Sequence, residues 1–228
     1  MTSILGVMTL ICLFRAQTQD PGILPLDLSP PKDFGRPAFC SICGSWKPPR
    51  AHHSRMLGRC VFRMDHACKW INNIVGYSNQ KFFILLLLYA MALGAWNALV
   101  SLGFVLSYCL GGSCSAVTPM HLLFLSLNAV GFIILKSYFS EQVEFMESNV
   151  TLIETFQNCR GRSDGIDVFR QVFGNNPWFW IFPVNTTLQP DYTEQVLSST
   201  LLSAKDAYAL GVELTDRVDS RPDRSKLD

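Results

Sequence analysis

Asp65, His66 and Cys68 fall within four residues, in the stretch RMDHACKW from Arg63 to Trp70. These three side-chain types are what a cysteine nucleophile needs. The thiolate attacks, a nearby imidazole takes the thiol proton, and a carboxylate orients that imidazole and stabilises its cation. The tripeptide alone also arises by chance in a basic loop, so its meaning rests on its surroundings.

Upstream, FCSICGSWKPPRAHHSRMLGRC gives Cys40-x2-Cys43, nine residues to His53 and six more to Cys60. A Cys-x2-Cys turn presents two thiolates to one ion, and a His and Cys returning from a second hairpin close a tetrahedron. Lys47, Pro48, Pro49 and Arg50 make the turn between the halves. The spacing predicts a structural zinc site; it does not choose between His52 and His53. Such a site supplies folding energy to a segment too rich in Pro, Arg and Gly to hold itself together.

The elements that must position these groups are apolar. The chain has 228 residues, 49% of them hydrophobic and 16% charged, with a mean hydropathy of +0.21, which points to a membrane protein. A net charge of +1 carries no nucleic-acid footprint. Phe82 to Leu110 has no ionisable group except tyrosine and cysteine and is long enough to cross a bilayer. Met120 to Phe139 predicts a second span, with Lys136 near its end where the amine can snorkel. Ile4 to Phe14 is too short to span unaided and lacks the marks of a signal peptide; it reads as the remainder of a span whose beginning is missing.

Arg15, Lys32, Arg36, Lys47, Arg50, Arg55, Arg59, Arg63, Lys69 and Lys81 crowd the segment before the first full span, and the loop Gly111 to Pro119 carries no basic residue. That bias places the long segment and the C-terminal part in the cytosol, leaving the sequons at Asn149 and Asn185 unused. Cytosolic Cys40, Cys43, Cys60 and Cys68 are then reduced thiols suited to metal or catalysis. Cys109 and Cys114 lie at the opposite face, either paired or as two small unpaired residues; Cys12 and Cys159 have no assigned role.

KPPRAHH, CVFRMDHACKW, NN, VG, N and FF follow one another between Lys47 and Phe83. In this order they resemble the cysteine-rich domain of the DHHC protein S-acyltransferases (palmitoyltransferases), whose pattern runs CxxC, KPxRxxHC, CxxC, DHHCPW, NC, VG and NxxxF. DPG at Asp20 to Gly22, TLIE at Thr151 to Glu154, similar to the family's TTxE, and VFRQVFG at Val168 to Gly174 extend the likeness to residue 184.

The resemblance implies that Cys68 attacks the thioester of a fatty acyl-CoA, forms an acyl-enzyme and passes the palmitoyl chain to a cysteine of a membrane-associated substrate protein. His66 is then the general base and Asp65 its orienter. The first of the family's two zinc ions falls on Cys40, Cys43, His53 and Cys60, which selects His53. The expected fold is an all-α membrane protein, with two complete transmembrane helices plus a partial first one, and a small zinc-stabilised β-hairpin cysteine-rich cytosolic domain. The implied order is a partial span at 1–15, the cysteine-rich domain at 16–81, spans at 82–110 and 120–139 around a lumenal loop at 111–119, and a cytosolic region at 140–228 ending in a disordered tail. An endomembrane location, in the ER or Golgi, is expected.

The sequence departs from the pattern at the second zinc site, which needs Cys, Cys, His and Cys where Ser54, Leu57, Ala67 and Ile74 stand. None of these supplies the required ligand, so one ion is expected, with the four residues packed as a small apolar cluster. Lys69 replaces the family's proline and reads as a solvated charge. Leu152 and Val168 replace a threonine and an asparagine, removing side-chain hydrogen bonds that tie tail to spans. These losses leave a second reading open, a catalytically weak or inactive membrane scaffold. NNPWFWIFPV, Asn175 to Val184, suits a membrane interface or a cytosolic core, and Asp191 to Val218 has mildly amphipathic helical spacing.

Overall fold

The structure is a computed structural model that describes residues 1–30, 38–111, 118–157 and 165–185. Cys114, Cys159, the 191–218 segment and the tail lie outside the described residues. Two compact units divide the chain. One joins Met1–Gly22 to Arg63–Leu188; the described part of the other lies in Ile23–Phe62.

The first unit is built on three helices: α1 (Thr2–Thr18), α2 (Gln80–Leu110) and α3 (Thr118–Glu147). α2 and α3 are long and apolar enough to cross a membrane. At ~1.5 Å per residue each is about 45 Å long, more than a ~30 Å hydrocarbon layer needs. α3 continues past Phe139 through SEQVEFME, whose buried Gln142, Phe145 and Met146 face the protein while the acids stay outside. Two short helices follow, α4 (Leu152–Phe156) and α5 (Gly165–Phe173), and then a 3-10 turn at Pro177–Phe179. Val168, Val172 and Phe173 of α5 pack with Cys12, Ile84, Leu85 and Met146. Val168, in the family's asparagine position, is therefore a core residue. Lys81 Nζ donates to the carbonyls of Phe179 at 2.9 Å and Val184 at 3.0 Å, fastening the aromatic segment to the start of α2.

Among the described residues, six short strands form three antiparallel hairpins, all between residues 39 and 75. β1 (Phe39–Cys40) pairs with β2 (Ser45–Trp46), and β3 (His52–Ser54) with β4 (Arg59–Val61), both in the second unit. Gly44 and Gly58 turn these hairpins at φ of +65° and +63°, where a side chain is disfavoured. The third hairpin, β5 (His66–Cys68) with β6 (Asn73–Val75), belongs to the helical unit. Its corner residue Asn72 sits at φ +48°, which asparagine tolerates.

Candidate functional site

β1 to β4 bring four donor atoms together. Cys40 and Cys43 flank the tight turn after β1, and the Cys43 amide donates to Cys40 Sγ at 3.5 Å. The register His53↔Cys60 sets the other two side by side on β3 and β4. His53 Nδ1 lies 3.5, 3.3 and 3.9 Å from the sulfurs of Cys40, Cys43 and Cys60, and the Cys43 and Cys60 sulfurs are 3.8 Å apart. Zinc with bonds of ~2.3 Å to sulfur and ~2.0 Å to nitrogen needs donor separations of about 3.5–3.8 Å. The set fits, and among the described residues it is the group of donors able to hold a metal ion. Burial, then contact with Cys40 and Cys43, pushes the Cys60 thiol up to about 12. Strand alternation turns His52 away from this face.

The four positions of the family's second ion fall in both units, Ser54 and Leu57 in the second and Ala67 and Ile74 in the first. Ser54 is buried and its hydroxyl accepts the Leu57 amide at 3.3 Å, Ile74 is fully buried, and Ala67 is exposed. On a strand, residues i and i+2 share a face. That period puts His66 and Cys68 on one side of β5 and Ala67 on the other.

Asp65, just before β5, donates its amide to the Val75 carbonyl at 2.9 Å and is 1% exposed. Its Oδ2 accepts His66 Nδ1 at 2.8 Å, which commits that nitrogen and leaves Nε2 for the thiol. Gln142 Nε2 also reaches Oδ2 at 3.0 Å, and the Leu152 amide reaches Oδ1 at 2.7 Å. The Phe83 ring meets the imidazole edge-on at a centroid distance of 5.2 Å. Burial works against the Asp65 anion, but the His66 hydrogen bond and charge, the Leu152 amide and Gln142 outweigh it and hold its pKa below the usual carboxylate value. Burial likewise opposes the His66 cation; Asp65 and Cys68 override it and raise the imidazole to about 9. Cys68 is lowered, since the His66 hydrogen bond and charge and the Ile71 and Trp70 amides overcome the cost of its burial.

Packing rather than metal holds this hairpin. Ile71, Ile74 and Val75 are fully buried, and Cys68, Ile71 and Val75 pack with Ala16, Phe82, Phe83 and Leu87. Asn73 Nδ2 donates to the carbonyls of Ala16, Gln17 and Gln19 at 3.0–3.1 Å, capping the end of α1. Asn79 donates to the Ile74 carbonyl at 2.8 Å and accepts the Gly76 amide at 2.9 Å.

The family model for DHHC palmitoyltransferase matches residues 33–159, more than half of the chain. The chain belongs to the DHHC palmitoyltransferase family. It is 34% identical over 169 residues to palmitoyltransferase ZDHHC15 of Xenopus laevis, covering 70% of this chain and 50% of that protein. Palmitoyltransferase ZDHHC2 of Mus musculus is 33% identical over 64% of this chain and 43% of its own. Palmitoyltransferase ZDHHC20 of Homo sapiens is 34% identical over 66% and 44%. The chain thus spans about half the length of the curated relatives it matches.

Family membership explains the motif order, and the structure adds residues that the motif reading missed. Gln142 and the Leu152 amide complete the shell of Asp65. Thr151 and Glu154 form a capping box on α4 that holds the Leu152 amide in place: the Thr151 hydroxyl accepts the Glu154 amide at 3.3 Å, and Glu154 Oε2 accepts the Thr151 amide at 2.9 Å. TLIE signals this box, because Thr151 and Glu154 keep the capping spacing while Leu152 between them supplies only backbone.

Proposed function

We propose that this DHHC-family chain is a membrane-embedded protein S-acyltransferase that carries an acyl-enzyme on Cys68. The observation supporting it is the Asp65–His66 hydrogen bond, with His66 and Cys68 on one face of β5 and Cys68 packed beside the first turn of α2. A fatty acyl-CoA has a polar head and an apolar tail, so a nucleophile beside the first turn of a spanning helix suits both. In this reading α2 and α3 cross an endomembrane, of ER or Golgi type, and the trio faces the cytosol.

His66 is raised to about 9 and Cys68 is lowered, directions that favour a thiolate–imidazolium pair before substrate arrives. His66 is therefore the holder of an ion pair first and a proton donor second. The Cys68 thiolate attacks the thioester carbonyl, a carbon–sulfur bond to Cys68 forms, and the bond to CoA sulfur breaks. His66 gives its proton to the departing CoA thiolate. Neutral His66 then takes the proton of a substrate-protein cysteine, whose sulfur attacks the acyl group and releases Cys68 as thiolate. Asp65 keeps Nδ1 protonated and Nε2 aimed throughout. Cys40, Cys43, His53 and Cys60 would hold one structural zinc, which supplies folding energy to β1–β4.

Incubating purified protein with labelled palmitoyl-CoA tests the proposal. Wild type takes up hydroxylamine-sensitive label, and Cys68→Ser takes up none. An unlabelled wild type overturns it and favours the scaffold reading, for which the missing second ligand set is the supporting observation.

A further inference from the structure

Asp65 is a buried anion whose neighbours decide whether His66 can work. A carboxylate offers about four acceptor sites, and leaving them unfilled away from water is costly. His66, the Leu152 amide and Gln142 fill three. The first is the catalytic partner and the second a backbone group. Gln142 is a neutral side chain, 4% exposed, that reaches in from the cytosolic-side turns of α3.

A glutamine at this place carries a danger. Its amide has a donating end and an accepting end, and only the donating end suits a carboxylate. Turned over, Gln142 would set its carbonyl against Asp65 Oδ2 and push the anion away from His66. Gln80, itself 4% exposed and at the first residue of α2, donates from Nε2 to Gln142 Oε1 at 3.4 Å. That bond fixes which end of the Gln142 amide points at Asp65. One side of the chain, Gln80 to Gln142 to Asp65 to His66, therefore donates toward the carboxylate, while His66 donates from the other.

We propose that Gln142, oriented by Gln80, is a positioning residue that aims Asp65 at His66 and so sets the reactivity of Cys68. Neither glutamine touches the reacting atoms. A neutral donor suits this role better than Arg or Lys, since it stabilises the Asp65 anion without cancelling the charge that His66 feels. Among the described residues, the titratable groups facing His66 are Asp65 and Cys68, and α2 presents the Phe83 ring to it. The inference rests on the acyl-enzyme reading for its rate effect, but not for its effect on His66.

The test uses the full chain in detergent with three variants, Gln142→Met, Gln142→Glu and Gln80→Met, each checked for a wild-type thermal melt. Methionine matches glutamine in length and volume and has no donor. Gln142→Met slows acyl-enzyme formation about tenfold to a hundredfold, the scale of a catalytic group displaced by ~1 Å. It also moves the His66 titration, followed by NMR of isotope-labelled histidine, down from about 9 toward the ordinary value of 6.5. Gln80→Met moves both in the same direction by less. Gln142→Glu gives a pH signature that packing alone does not. The introduced acid donates to Asp65 while protonated and repels it once ionised, so this variant acylates at the wild-type rate in acid and loses rate as pH rises. The proposal falls if Gln142→Met leaves both readouts unchanged, or if the Glu and Met variants share one pH profile. Absence of label in wild type would instead sink the acyl-enzyme reading, and the His66 titration still decides the positioning role.

Discussion

The hairpins β3–β4 and β5–β6 have strands of equal length and each carries a cluster of chemistry-bearing side chains, yet they are held by opposite means. Behind β3–β4 the buried cluster is Leu24, Cys40, Ala51 and Cys60, of which two are themselves the donor residues. Behind β5–β6 stand Ile71, Val75, Phe82, Phe83 and Leu87. Fully burying a side chain of that size contributes about 1.5–3 kcal/mol. The first hairpin packs over a small cluster that shares two of its residues with the donor set, whereas the second packs over a larger apolar core free of those donors. This is a physical reason why Ala67 and Ile74 can stand where the family pattern has ligands: Ile74 is fully buried, and what a ligand bond would supply comes from packing and from Asn73 and Asn79.

Metal removal is the strongest way to break this comparison. Structural zinc contributes on the order of 10 kcal/mol to small sites, so a chelator abolishes amide-exchange protection at His53 and Cys60. Protection at Ala67 and Ile74 survives, because the partners of that hairpin lie in the helical unit. Protection at β3–β4 that outlasts chelation would break the comparison, and metal analysis giving two ions per chain would break it as well.

Next in size is Ile74→Ala. It removes a fully buried side chain from β6, cross-strand from Ala67, at a cost of about 2–5 kcal/mol. Limited proteolysis and thermal melts read the loss. An equal effect from Leu57→Ala, a partly exposed residue, would erase the contrast between the hairpins.

How much of this was legible in the sequence follows the same division. Metal ligands obey local spacing, so Cys40, Cys43 and Cys60 could be found by counting, and a resemblance supplied His53. Helices α2 and α3 were legible because unbroken apolar runs need no partner to be recognised. The third hairpin was not, since His66–Cys68 and Asn73–Val75 are three-residue strands with no sustained alternation. Gln142 and the Leu152 amide were invisible for another reason: they lie 77 and 87 residues from Asp65, and one of them is backbone. At position 152 the sequence displays the side chain that departs from threonine and hides the amide that reaches Asp65.

Acid sensitivity sharpens the comparison on the side of the trio. Burial works against the Cys68 thiolate, but His66 and the Ile71 and Trp70 amides outweigh it and hold the thiol below its ordinary value of 9, so the thiolate is lost as pH falls through that lowered value. Each unit below it costs tenfold in acylation rate, about 1.4 kcal/mol. His66→Gln removes the cation, and the acid limb then moves up toward 9. Stopped-flow acylation against pH checks this; identical limbs in the two proteins would separate Cys68 from His66.

The smallest effect tests whether backbone alone can replace the missing threonine. Thr151→Ala removes one arm of the capping box and costs about 1 kcal/mol of local stability. Thr151→Ser keeps the hydroxyl and costs little. α4 has five residues, too few to hold its own first turn without the box, so the Leu152 amide loosens from Asp65 in the alanine variant. Acylation then slows more than the stability change predicts, because the freed amide belongs to the Asp65 shell while the lost hydroxyl belongs to the cap. If alanine and serine variants acylate equally, the amide contact at 2.7 Å contributes nothing to catalysis, and Asp65 is held by Gln142 and His66 alone.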